Sequence, residues 1–280
     1  MSDIPVDIDL VLSQLQPQYV VEEKAQAAAD LFVKSLKVPE TDMLSDRILG
    51  ENIHLTAIRD EGIRLGILYG KNERAAAIND MLTYSAGMLD TIFDFDRYLY
   101  DGRVLLPSVA IGENIFEQFE DNAQAEVGVS FTVIEEPALV SQTPTFRDYI
   151  YLPVGVAETA HSELAPSNPE EDEVWRESFR RGYVAGSQQA DAVFSDGLYE
   201  MHQDIVGRAT YLAMVELEMI EPVELSVEDN GITFVGRTMN VGETIYSISG
   251  QPNFTTSADW RVAWSVGEEF LSIRSGGFQN

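Results

Sequence analysis

The sequence predicts an α+β protein, with long packed α-helices, short central strands and a C-terminal antiparallel β-meander. Three observations predict it. From Glu51 to about Ile92 no proline interrupts a stretch whose apolar residues recur at helical spacing. From Pro169 a second helical stripe runs towards Met219, and Pro222 stops it. After that, runs of branched and aromatic residues are separated by Asp229-Asn230-Gly231 and Asn240-Val241-Gly242, both suited to positive φ.

Taken in order, residues 1–50 read as an N-terminal arm punctuated by Pro5, Pro17 and Pro39. Its Ala-rich stretch from Val20 to Leu36 favours one short helix. Residues 51–264 read as a single α+β domain, and 265–280 as a flexible C-terminal tail. The first long helix carries Leu55, Ile58, Leu65 and Tyr69, with Gly62, Gly66 and Gly70 at i, i+4 and i+8. Each glycine costs about 1 kcal/mol relative to Ala in a helix interior. Close approach of a second backbone would justify that cost; simple tolerance is the competing reading. The passage from Phe93 to Pro107 breaks the helix, with Asp101-Gly102 as a turn. Val127 to Ile134 alternates and reads as a strand, and Tyr149 to Val154 as a second.

Ser167 or Asn168 can cap the next helix, Pro169 suits its first position, and Glu170, Glu171 and Asp172 meet the positive end of its dipole. Along its apolar stripe Gly182 and Gly186 again stand four apart. We therefore expect the two glycine-bearing helices to cross one another, or a common third element, at short separation. The meander is expected from Val223–Val227, Ile232–Thr238 and Glu243–Ser249, with Ser257–Trp264 as one further strand.

The 280 residues are 45% hydrophobic and 23% charged, which are globular values. With 47 acidic against 18 basic residues the formal charge is −29. Phosphate affinity needs clustered Lys and Arg, so direct nucleic-acid binding is not expected, and an anionic membrane surface would repel the chain. The charge suits a solubilising field, or a docking surface for a basic partner, or adaptation to high salt. There is no Cys, which excludes disulfides, thiolate metal sites and a lipid on this chain's own cysteine. No apolar run is long enough to cross a bilayer. The opening MSDIPVDIDL is acidic and is not a signal peptide, so we expect an intracellular protein or one whose export signal has been removed.

Chemistry-bearing patterns are sparse. His54, His161 and His202 are far apart, so no metal site is expected. Phosphate-loop, dinucleotide and nucleophile-elbow signatures are absent, so no cofactor is expected either. Asp94 and Asp96 bracket Phe95; on a strand both carboxylates would point one way, as a hydrolase pair requires. The competing reading is the polar edge of an aromatic turn. Arg180-Arg181 suits an internal salt link.

Several segments, in this order, resemble one family. IRDEGIRLGILYG (Ile58 to Gly70) is followed by FDFDRYLYDGRVLLP, then FRDYIYLPV (Phe146 to Val154) and the PEEDEVW helix start. FRRGYVAGSQQADAVFSDGL (Phe179 to Leu198) and SADWRVAW complete the series. The chain resembles the DotC/TraI family of type IVB secretion and conjugation systems over roughly residues 50–264. The resemblance implies a periplasmic, outer-membrane-associated structural subunit that catalyses nothing. It would assemble in a ring with DotD-like and DotH-like subunits and meet the membrane only through a lipid anchor that this chain lacks. The export signal is then expected to have been removed. Trp260 and Trp264 are candidate interface residues, with burial in the core as the alternative. An acidic periplasmic hydrolase using Asp94 and Asp96, and a small-ligand binding module between the long helices, remain as competing functions.

Overall fold

The computed structural model describes residues 21–35, 49–120, 123–156, 158–159 and 161–256. The fold is α+β and mostly helical. It divides into two compact units, one drawn from Met1–Ile92 and Phe146–Met201, the other from Phe93–Thr145 and His202–Asn280.

The first unit is helical. α1 (Val21–Ser35) precedes α2 (Leu49–Tyr84), and a short α3 (Ala86–Ile92) follows a break at Ser85. After α4 (Phe146–Ile150) comes α5 (Pro169–Glu216), which contributes its residues up to Met201 here. α5 starts at a cap that satisfies donors in both directions. The Glu171 N–H donates to Asn168 Oδ1 at 2.9 Å, while the Ser167 N–H and hydroxyl donate to the Glu171 carboxylate at 2.8 and 2.7 Å. Spacing fixes what is buried. Ala25, Ala29 and Phe32 of α1 fall at i, i+4 and i+7, and join Ile58, Leu65, Trp175, Phe179 and Tyr183 in one core. Phe32 stacks on Trp175 at 5.2 Å and meets Tyr69 edge-on at 5.0 Å.

One expected strand is not a strand. Tyr149 and Ile150 end α4, and the extended residues after them bond to side chains instead of a neighbouring strand. Asn79 of α2 donates to the Leu152 carbonyl at 2.8 Å and accepts the Leu152 N–H at 3.0 Å. Asn72, seven residues earlier on α2, treats Gly155 likewise, at 3.3 and 2.9 Å. Two amide side chains thus give the ladder hydrogen bonds a strand partner would have given.

The second unit carries the strands. Asp94 caps a 3-10 turn, Phe95–Tyr98, which leads into β1 (Leu99–Tyr100) and β2 (Val104–Leu105). Of the three residues between them, Asp101 and Gly102 both have positive φ and are the central pair of a turn closed by the Arg103 N–H donating to the Tyr100 carbonyl at 3.1 Å. β3 (Ser108–Glu120) and β4 (Ala123–Glu135) form a long hairpin, and β5 (Ala138–Leu139) pairs with β2. β4 covers the strand expected over Val127–Ile134; β3 carries Gly112 and several acidic residues and gave no comparable alternation. The end of α5 packs Tyr211 and Met214 with Val104, Leu106, Val109, Met219, Ile220 and Val223. Glu218 takes positive φ and closes α5, with the Met219 N–H reaching the Met214 carbonyl at 2.8 Å.

The C-terminal antiparallel structure is a single hairpin, β6 (Leu225–Val235) and β7 (Thr238–Ile248), in place of three short strands. Gly231 and Gly242 have the expected positive φ, but they spend it in irregularities of the ladder, not in turns. The chain reverses at Gly236-Arg237, where only Gly236 has positive φ. The further strand Ser257–Trp264, the tail 265–280, and the candidate interface residues Trp260 and Trp264 lie outside the described residues.

Candidate functional site: a glycine-lined helix crossing and two ion clusters

The five glycines singled out by spacing occupy one crossing in the helical unit. A Cβ on Gly66 would overlap the Phe179 carbonyl oxygen, and one on Gly70 the Tyr183 carbonyl oxygen. Reciprocally, a Cβ on Gly182 would overlap the Ile63 carbonyl oxygen, and one on Gly186 that of Ile67. Gly62 is less confined, since its Cβ would stand 3.1 Å from Ser178 Cβ and the Trp175 carbonyl oxygen. So α2 and α5 touch backbone to backbone over two turns, an arrangement that suits weak Cα–H···O contacts. Ser187 adds a hydroxyl donor to the Gly70 carbonyl at 3.3 Å. No ligand fits between the helices at these four positions.

Charged side chains fasten this unit from outside. Glu61 accepts from Arg64 at 2.9 and 3.0 Å and from the His161 N–H at 3.2 Å, and Arg64 reaches on to Glu158 at 2.5 Å. The Arg64 hydrogen bond holds the Glu61 carboxyl below its usual range, against the opposing effect of burial. The Arg64 guanidinium is held further into its charged form by the same two carboxylates. Arg180 and Arg181 both donate to Glu177, so the arginine pair serves a local link on α5.

The second unit has its own cluster. Buried Arg208 donates to the Leu106 carbonyl and to Glu135 at 2.5 Å, and pairs with buried Asp204 at 2.7 Å. Burial, then the nearby Asp204 charge, pushes the Glu135 carboxyl up in spite of Arg208. Arg208 thereby ties the end of β4, the segment after β2 and α5 together.

Asp94 and Asp96 serve separate partners. Asp94 accepts from the Asp96 N–H at 3.1 Å as a cap and stands 3.4 Å from Arg97, while exposed Asp96 accepts from the Thr143 hydroxyl at 2.6 Å. His161 lies on the surface and His54 stands 3.7 Å from Glu171. Among the described residues no group of three His, Asp or Glu could hold a metal. Among them, too, no helix is long and apolar enough to cross a membrane. Sequence reasoning missed Asn72, Asn79 and Arg208. Only two Asn at seven-residue spacing on a helix hinted at the first pair.

Fold and geometry together define an α+β protein in which the clusters around Arg64 and Arg208 fasten helices and strand ends. The family model described as type IV secretory system, conjugal DNA-protein transfer, matches residues 52–262, and the chain belongs to that family. It is a type IV secretion and conjugation component. No curated protein matches the chain.

Proposed function

We propose that the chain is a structural subunit of the periplasmic, outer-membrane-associated core complex of a type IVB secretion or conjugation system, and that it acts by protein–protein assembly. The observation that carries the reading is the family match over 52–262, which spans the glycine-lined crossing, both ion clusters and the β6–β7 hairpin. Its support in the fold is economy of polar groups. Arg64, Arg147, Arg176 and Arg208 each bind carboxylates of their own unit, which stiffens the presented surfaces. DotD-like and DotH-like subunits, with further copies of the chain, are the partners that the family resemblance puts forward.

The test is co-expression with the DotD-like and DotH-like subunits of the same system, exported to the periplasm. The expected result is a complex that survives affinity purification and size exclusion. Recovery of this chain alone, with all partners folded and present, would overturn the reading.

A further inference from the structure

The tip of the β6–β7 hairpin is amphipathic, and nothing among the described residues covers its apolar side. Ile232 lies opposite Val241 and Phe234 opposite Met239, so these four side chains share one face. They are 57%, 69%, 72% and 58% exposed respectively. The opposite face carries Thr233, Thr238 and Asn240 with one apolar side chain, Val235, and Asn240 donates to the Thr233 hydroxyl at 3.4 Å. A hairpin with four apolar side chains on one face and a single one on the other suits packing against a protein surface; immersion in lipid would ask for two apolar faces.

Charge narrows the occupant. From Gly231 to Gly242 the only charged residue is Arg237, in a chain of net charge −29. Arg237 has no ion pair among the described residues. Pairing tip on tip would set two Arg237 side chains against each other. The complement lies elsewhere on this chain. On α5, Val193, Asp196 and Glu200 fall at i, i+3 and i+7, with Tyr199 beside them, and all four are exposed. Asp196 and Glu200 likewise carry no ion pair among the described residues.

We propose that the hairpin tip of one copy docks on the Val193/Tyr199 face of α5 of a second copy, with Arg237 meeting Asp196 and Glu200. The contact is heterologous, head to tail, so it repeats from copy to copy and closes into a ring where the rotation allows. It rests on the reading of the chain as an assembly subunit.

The absence of cysteine makes a clean trap. An Arg237→Cys protein and an Asp196→Cys protein, mixed and oxidised, are expected to give a disulfide-linked dimer in higher yield than either alone. Phe234→Asp on the Arg237→Cys protein is expected to abolish it, and in sedimentation Arg237→Glu weakens self-association about tenfold while Glu200→Arg on the same chain restores it. A mixture that cross-links no better than the single proteins overturns the contact, as does sedimentation indifferent to Phe234→Asp. Phe234-dependent binding to phosphatidylethanolamine–phosphatidylglycerol vesicles without self-association also overturns it, in favour of lipid. Failure here with intact co-purification of the other subunits sinks the contact alone, not the assembly role.

Discussion

Gly66 and Gly87 are both helical glycines, yet their surroundings differ completely. A methyl at Gly66 would overlap a backbone carbonyl oxygen of α5, which cannot swing aside as a side chain would. Gly66→Ala is therefore expected to cost about 3 kcal/mol or to force the helices apart. Nothing stands within 4 Å of a Cβ on Gly87, so Gly87→Ala is expected to stabilise by about 0.5–1 kcal/mol. Urea unfolding of the two variants checks both signs. The four-residue spacing of the glycines is visible in the sequence; the carbonyl that each one faces is not. Glu61 gives a pH-dependent counterpart. Its folded carboxyl titrates below the ordinary 4.5, so its contribution is present above that value and lost as pH falls through the folded pKa. Glu61→Gln is expected to cost about 1–2 kcal/mol at pH 7 and progressively less as the pH falls below 4.5 and through the folded value, read from unfolding curves across that acid range. Glu135 has the opposite sign: its raised carboxyl contributes below 4.5 and loses that contribution as pH rises through its folded pKa.

At the scale of elements, what was legible depended on where the backbone hydrogen bonds go. A helix satisfies its own, so the proline-free stretch, and the start signal of Ser167 or Asn168 before Pro169 and three acidic residues, were enough to place α2 and α5. A strand's partner lies elsewhere in the chain. The segment after Ile150 finds two asparagines 73 and 83 residues away, which no local pattern announces. Glycine triplets in the last hairpin were ambiguous for a different reason, because positive φ serves a bulge as well as a turn. Arg208 is the joint most sensitive to change in the second unit. Arg208→Met strips buried Asp204 of this cation and releases the Leu106 carbonyl and Glu135, so it is expected to cost about 3–5 kcal/mol. Adding Asp204→Leu removes the stranded carboxylate and is expected to recover part of that loss. A double-mutant cycle by chemical denaturation measures the coupling, and additive losses would show that the pair does not act together.

Across the whole molecule, charge is the property that the local interactions do not consume. There are 47 acidic residues and 18 basic ones, so even complete pairing leaves 29 carboxylates without a cation of the chain's own. Two effects of salt then compete. Screening weakens the exposed pairs, such as Arg181–Glu177 and Lys24–Glu73, each worth about 0–1 kcal/mol. Screening also weakens the mutual repulsion of the surplus carboxylates, which acts over the Debye length, about 30 Å at 0.01 M and about 8 Å at 0.15 M. The surplus outnumbers the pairs, and the Arg208–Asp204 pair is buried and screened much less. Repulsion therefore dominates, and the melting temperature at pH 7 is expected to rise between 0.01 M and 0.5 M sodium chloride. The same screening would let copies approach, so self-association is expected to strengthen over this range although Arg237 itself is screened. A melting temperature that falls with salt would mean that the ion pairs outweigh the field of the surplus charge.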